Sequence, residues 1–598
     1  MSHLTVETEA RHNPQTLSVT SFAVLDFHAS TAVAGVTSIG RTLPPALALS
    51  AHEAAPSSWS NAIEVPGTTA LNAGDNAGIY SISCGISGYC SAGGNYTDAA
   101  GDSQAFVVNE TDGTWGSAIE VPGVNHLNAG GNASVSSVSC GSAVFCGAAG
   151  YYTDASGDFQ GFVVTRTGVT WGAVIDPSAI GSKAALGAES ISCTATRFCT
   201  AVGDDVVSDG SSVGFVVSDT NGAWGDANEI TISSTFGAGG TPLDQVSCSF
   251  PGDCAAAGNG LYPDSAIAGG DAHVPFVVDE TFGSWGDAIE VPGLATLNVG
   301  LVAAASSISC SMPGDCGAGG VYADGSTTAQ AFVANETNGK WGDAIEVPGS
   351  SSINIGGAVL YSISCPSNGE CGGAGQYTDA LGNGQAFVAN EVNGAWGNVM
   401  EIPGSSSLFS EGIGTNPLAI SCGTPNNCSA GGVYFDSSGN SQAFVVNEAA
   451  GIWGDAIEVP GTGALNTAGG AFMSSISCSW DSSCGAGGWY STGTQEFQAF
   501  TSVMAPLFAT QAPFRLTSVH GVAGVPLKLT TSGGSGAGKL RFSAEDGPGE
   551  VCVVTGDVLR ATNRGVCVVT TTKSGDGTYL PTTWVASVKM VLPARPGT

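Results

Sequence analysis

Basic residues are scarce: 15 Lys plus Arg stand against 50 Asp plus Glu, a net charge of −35. A surface so poor in cations does not neutralise phosphates, which excludes nucleic acid as a partner. Histidine is nearly missing from residues 57–506, where only His126 and His273 occur. Histidine-based acid–base or metal chemistry therefore lacks its donors, and such work would fall to carboxylates. No run of about 18 apolar residues is present to span a bilayer. The chain also lacks G-x-S-x-G, H-E-x-x-H, a P-loop and a dinucleotide fingerprint. Yet 42% of its residues are hydrophobic, too many for a disordered acidic chain, so the protein is folded.

What is abundant is glycine, at 89 of 598 residues, and a repeat. At this length a single core is unexpected, and several domains or one array are implied. The unit WGDAIEVPG, SISC, C-x-AGG-x-Y-x-D, QAFVVNET recurs eight times with a period of about 56 residues. Eight tryptophans mark it: Trp59, Trp115, Trp171, Trp224, Trp285, Trp341, Trp396 and Trp453. So do eight C-x5-C pairs: Cys84 and Cys90, Cys140 and Cys146, Cys193 and Cys199, Cys248 and Cys254, Cys310 and Cys316, Cys365 and Cys371, Cys422 and Cys428, Cys478 and Cys484.

Each unit holds four strand-like stretches: S-I-S-C (a), C-x-AGG-x-Y (b), QAFVVNE (c) and WGDAIEV (d). Four short strands per repeat predict an all-β fold, an eight-bladed β-propeller over residues 57–506. The array opens at Trp59 with d alone and closes at Phe500 with a, b and c. The Trp59 to Val65 stretch is therefore expected to supply the outer strand of the last blade and leave no open edge.

Loop lengths point to one face. The second Cys lies 16 residues before the Phe of stretch c in seven units and 22 residues before it in the fourth, Cys254 to Phe276. The Trp-to-Cys distance ranges from 22 to 26 residues, whereas Phe to Trp is always 9. In a propeller the d-to-a and b-to-c loops share a face. Length variation and the insertion around Gly269 to Val274 fall there, where binding is expected.

Disulfides across each a-to-b hairpin are the expectation for the cysteine pairs, since metal ligation would need further His or Cys nearby. Bridges in such number imply an oxidising compartment. The eight indoles are expected to staple neighbouring blades. Six units carry Tyr-x-Asp in the b-to-c turn, giving Asp98, Asp154, Asp264, Asp324, Asp379 and Asp436. These would form Asx turns before Gly101, Gly157 or Gly382, or would present carboxylates to sugar hydroxyls or Ca²⁺. A calcium loop would show Asp at alternate positions, and none does, so no cofactor is expected beyond this Ca²⁺ alternative. The glutamates of AIEVPG (Glu64, Glu120, Glu290, Glu346, Glu458) and of NET (Glu110, Glu336) recur, and are read as solvated positions rather than a catalytic pair.

The Trp after the NETNG turn, clearest from Asn335 to Trp341, resembles the tryptophan-docking motif of eight-bladed quinoprotein dehydrogenases and, more loosely, the Asp-box hairpin of sialidases. Vicinal cysteines are absent here, and residues 57–506 hold only Arg166 and Arg197 where sialidase chemistry implies three arginines. Both likenesses stop at the fold. The repeat as a whole resembles the Gly-rich, Cys-paired propeller repeats of secreted bacterial proteins.

Residues 507–513 read as a linker. Residues 514–598 abandon the repeat for short strands between Gly-rich turns. With L-T-T-S-G-G-S-G, Cys552 and Cys567, and T-K-S-G-D-G-T-Y, they resemble an immunoglobulin-like module of bacterial surface proteins. That likeness implies a β-sandwich, a Cys552–Cys567 bridge and a spacer or adhesive role. From residue 507 onward the net charge is +4, against −37 for residues 57–506, so this part is expected to meet its own propeller or an anionic envelope polymer. Residues 1–56 lie outside the repeat and read as a leader, although Glu7 and Glu9 spoil a basic start.

These features predict an extracellular or cell-surface binding or scaffold protein, more binder than enzyme, recognising a glycan or a protein through the variable face. The alternatives are a carbohydrate-active hydrolase or lyase using carboxylates in the funnel, with Asp271 and His273 as the irregular polar candidates, and a purely structural envelope protein.

Overall fold

The computed structural model describes residues 59–505, 512 and 514–592, apart from 177–184, 196, 207–211, 221, 231–241, 263–271, 301, 326–327, 409–414, 494–495, 536–537, 546–551 and 574–581. The expectations for residues 1–56, Asp264 and Asp271 lie outside these residues.

The repeat folds as antiparallel sheets of four or five strands, eight of them among the described residues. In the first, strand a is Ala77–Ile86, b is Tyr89–Thr97, c is Ser103–Thr111, and d is split into Thr114–Trp115 and Ile119–Glu120. The split follows from sequence, because Gly116 interrupts the ladder and donates its N–H back to Asn109. In the eighth sheet the outer strand comes from the other end of the chain: Ile63 pairs with Thr501 and Glu64 with Phe500. Between d and a, six repeats insert a four-residue helical turn among the described residues, such as Thr68–Leu71 after Gly67 at φ 87°. The V-P-G sequence permits it, since only glycine takes that φ without strain.

Strand a of each sheet packs on strand a of the next, and that of the eighth sheet packs on the first. The sheets therefore stand around a common axis with strand a innermost, the arrangement of a β-propeller. Apolar clusters fill the seams between sheets. The one joining eighth and first sheets contains Val65, Ile79, Phe106, Trp115 and Ala499.

The S-I-S-C sequence explains how inner strands meet. The Cys84 N–H donates to Ser477 Oγ, Cys140 to Ser83, Cys193 to Ser139, Cys248 to Ser192, Cys310 to Ser247, Cys365 to Ser309, Cys422 to Ser364 and Cys478 to Ser421, at 2.9–3.0 Å. The cysteine N–H on each inner edge is thus satisfied by the preceding sheet, and the series returns to its start. Each C-x5-C pair is a disulfide across the a-to-b hairpin. The residue after its second cysteine stays small because the next sheet's bridge packs there: a Cβ on Gly372 would lie 2.8 Å from Cys422 Sγ.

At the outer end of the seams the indole N–H crosses between sheets. Trp171 donates to Asn109 Oδ1 at 3.0 Å, Trp396 to Asn335 at 3.1 Å, Trp453 to Asn390 at 3.3 Å and Trp59 to Asn447 at 3.1 Å, while Trp341 donates to Asp279. Where that acceptor is Val503 or Thr165, the facing nitrogens of Trp115 and Trp224 are buried without a partner.

Residues Phe514–Val591 form two-, three- and four-stranded sheets. Their core includes Leu516, Leu559, Val569 and Val588, and a Cys552–Cys567 bridge crosses it.

Candidate functional site

Every inner strand carries a β-bulge at the same place, four residues before its first cysteine. From first to eighth sheet the bulged residue is Tyr80, Ser136, Glu189, Asp244, Ser306, Tyr361, Leu418 and Ser474. A bulge re-aims a side chain, and here it does so beside the axis. The position does not follow the repeat, although its flanking sequence does. Its neighbour on strand b, five residues after the second cysteine, varies as well: Asn95, Tyr151, Asp204, Asn259, Val321, Gln376, Val433 and Trp489. Both positions lie toward the end of the sheets that carries the d-to-a and b-to-c loops, the mouth of the ring.

The paired positions talk to each other. Tyr80 donates to Asn95 Oδ1 at 3.2 Å, and Asn95 Nδ2 donates to Ser103 Oγ at 2.9 Å. Tyr361 donates to Gln376 Oε1 at 3.3 Å. Asn259 Nδ2 donates to Asp244 Oδ2 at 2.7 Å, and Ser212 donates to Asp204 Oδ2 at 2.5 Å. In the eighth sheet the same region is aromatic, with Phe472 stacked on Trp489 at 5.2 Å and Phe497 edge-on at 4.9 Å. His273 is exposed on strand c of the fourth sheet, on the face of Asn259.

Electrostatics tie these sheets together. Burial pushes the Glu189 carboxyl up to about 7, helped by Asp204. Burial does the same to Asp244, also to about 7, opposed by the Asn259 hydrogen bond and aided by Glu189 and Asp204. The Tyr151 phenol rises to about 12 through burial, then Tyr80 and Glu189. Tyr80 is crowded enough for burial to raise its phenol, yet 38% of its surface is exposed. A side chain both crowded and wet lines a concavity. Tyrosines of the first two sheets and acids of the third and fourth thus form one continuous polar arc.

The repeated acids have other work. Asp98 Oδ1 accepts the N–H groups of Ala100 at 2.8 Å and Asp102 at 3.0 Å, and Oδ2 accepts Gln104 Nε2 at 3.2 Å. Slight burial acts upward on this carboxyl, but those donors outweigh it and hold it below the ordinary range. Gln104 in turn accepts Asn128 Nδ2 of the next crossover at 3.0 Å. Asp154, Asp379 and Asp436 make the same turn, Asp324 accepts Thr328 N–H and Gln330, and the Asn link recurs at Asn354 and Asn466. Glu120, Glu346 and Glu458 accept the hydroxyls of Tyr96, Tyr322 and Tyr434.

One reading needs correction. Glu110 and Glu336 are not solvated: they are 1% and 4% exposed, within the seams. Alternation along strand c turns them inward, a fact masked in sequence by the polar residues around them. Among the described residues no group of three or more His, Cys, Asp or Glu side chains is placed to hold a metal ion.

No family model and no curated protein matches the chain. Solved structures similar to it include the β-propeller domain of the Trilobed protease from Pyrococcus furiosus, at 9% identity and TM-score 0.35, covering 64% of this chain and 94% of that one. The GH93 α-L-arabinofuranosidase of Fusarium graminearum aligns at 11% identity and TM-score 0.30, covering 57% and 98%. The six-bladed lectin of Aleuria aurantia aligns at 13% identity and TM-score 0.26, covering 53% and 92%. At such identities and scores, what those proteins bind or cleave is not carried to this chain.

Proposed function

We propose that the protein is an extracellular glycan-binding protein. Its residues 57–506 form an eight-bladed propeller, and residues 514–598 form an immunoglobulin-like β-sandwich beyond a linker at 507–513. The closed series of eight serine-to-cysteine bonds supports the blade number. Nine disulfides and, among the described residues, no free cysteine support an oxidising location.

The observation that carries the function is the non-recurring arc at the mouth. Positions that serve only the scaffold repeat; those of Tyr80, Tyr151, Glu189, Asp204, Asp244 and Asn259 change from sheet to sheet, with Tyr recurring only at Tyr361 and Asn only at Asn95. Phenol faces stack on sugar rings, while carboxyls and amides exchange hydrogen bonds with hydroxyls. The turn aspartates hold the loops around this arc. The basic C-terminal module serves as stalk and meets an anionic envelope polymer. A second reading, glycoside hydrolysis, is favoured by Glu189 and Asp244 alone, since a carboxyl held near neutrality suits a general acid.

The test is a glycan array with the full chain, with and without chelator, beside Tyr80→Ala, the Glu189→Gln/Asp244→Asn pair and Asp98→Ala. Binding lost in the first two and kept in the third supports the mouth as the site. Binding lost only in Asp98→Ala, or seen for no glycan, overturns it. Turnover of a bound glycan that Glu189→Gln abolishes without loss of binding replaces the first reading by the second.

A further inference from the structure

The residue beside the seam Asn on strand c is Glu110, Arg166, Asp219, Glu280, Glu336, Glu391, Glu448 and Met504 from first to eighth sheet, and all are 0–6% exposed. Six of these eight buried positions are acids. Glu391 and Glu448 each receive the amide of an Asn on the preceding sheet, Asn335 and Asn390. Even so the carboxyls are poorly served: Oε2 of Glu110, Glu280 and Glu448 and Oδ2 of Asp219 are buried without a hydrogen-bond partner. An ionised carboxylate left so would cost several kcal/mol, whereas the protonated acid carries no charge to solvate.

The groups facing them make ionisation harder. Glu280 faces Asp253, Glu391 faces Glu370, and Glu336 faces Asp279 and Asp315. At the others uncharged donors offset burial only in part: the Cys90 N–H at Glu110, Gly222 N–H, Thr165 and Ala223 N–H at Asp219, Asn390 and the Cys428 N–H at Glu448. The fifth seam is the extreme case. Asp279 stands where Asn stands in four other seams, its oxygens both accept the Trp341 indole, and Glu336 lies across from it. Two buried carboxyls that face each other resist ionising together.

We infer that the seam acids are carried un-ionised in the folded ring, so that the propeller is set by protonation: tightest in mildly acidic surroundings, loosening as rising pH forces charge into the seams. Burial raises Glu336 to about 8, with Asp279 and Asp315 adding to it, and raises Glu110 and Glu280 to about 7 and Glu448 to about 6. Folded values above the unfolded 4.5 mean that the folded state holds more protons. The stability these acids confer is then complete below about pH 4.5 and is lost as pH rises through about 6 to 8.

Calorimetry of the full chain in about 0.5 M salt, which screens the surface charge, reads this directly. The parent Tm is expected to fall by roughly 5 °C or more between about pH 5 and about pH 9. Glu336→Gln with Asp279→Asn, neutral at every pH, should match the parent at the acidic end, exceed it at the alkaline end and shrink the fall. Glu448→Gln gives a second reading should the pair fail to fold. Infrared spectra near pH 6.5 should show the carbonyl band of un-ionised carboxylic acid in the parent, weakened in the variants. A parent Tm level or rising over this range, or variants destabilised equally at all pH, would overturn the inference.

Discussion

The seams and the mouth are built on the same strands, yet they treat the repeat in opposite ways. At the seams one solution recurs: a serine hydroxyl under a cysteine N–H, a disulfide against a small residue, an indole on an amide. At the mouth, four residues from the same cysteine, no two adjacent sheets agree, except where serine or small residues fill in. Sheets five and seven are bland there, with Ser306 and Val321, Leu418 and Val433. Sheets one to four carry the carboxyls and most of the phenols, and sheet six adds Tyr361. Repetition marks what the ring needs eight times, and its failure marks what is needed once.

That contrast is open to attack, the strongest effect first. Trp59→Ala strikes the seam between the seventh and eighth sheets: the indole is 6% exposed, so its loss should cost about 3–5 kcal/mol in denaturant unfolding. A change under about 1 kcal/mol would mean that the eighth sheet does not depend on its outer strand. Val503→Asn tests a seam from the other side. It would offer an acceptor to the Trp115 indole and a donor to Glu110 Oε2, both now without a partner, and should stabilise by about 1 kcal/mol. Failure to gain would mean that the recurring Asn serves geometry, not pairing. Smallest is Asp98→Ala, which removes one turn's cap and should cost about 0.5–1 kcal/mol while leaving ligand binding at the mouth unchanged.

Much of the seam is legible in the sequence. The cysteine and tryptophan periods define the strand-rich unit, and Trp59 alone at one end implies a partner at the other. The mouth is not, for a physical reason: a bulge adds one residue and turns a side chain toward the axis, so Tyr80 or Glu189 reads in sequence as one more variable residue before S-I-S-C. The seam acids were misjudged because glutamate beside Asn and Thr looks solvated, and only the pleat reveals that its side chain is inward. The helical turn after V-P-G escaped because four residues carry no period.

Each C-x5-C disulfide closes within one hairpin and never ties one sheet of the repeat to another. A unit copied or deleted during evolution therefore brings or removes both halves of its bridge, together with the serine its follower needs and the cysteine N–H its predecessor needs. No orphaned thiol and no mismatched neighbour results. The repeat behaves as a cassette, free to diversify at its bulge while its joints stay interchangeable.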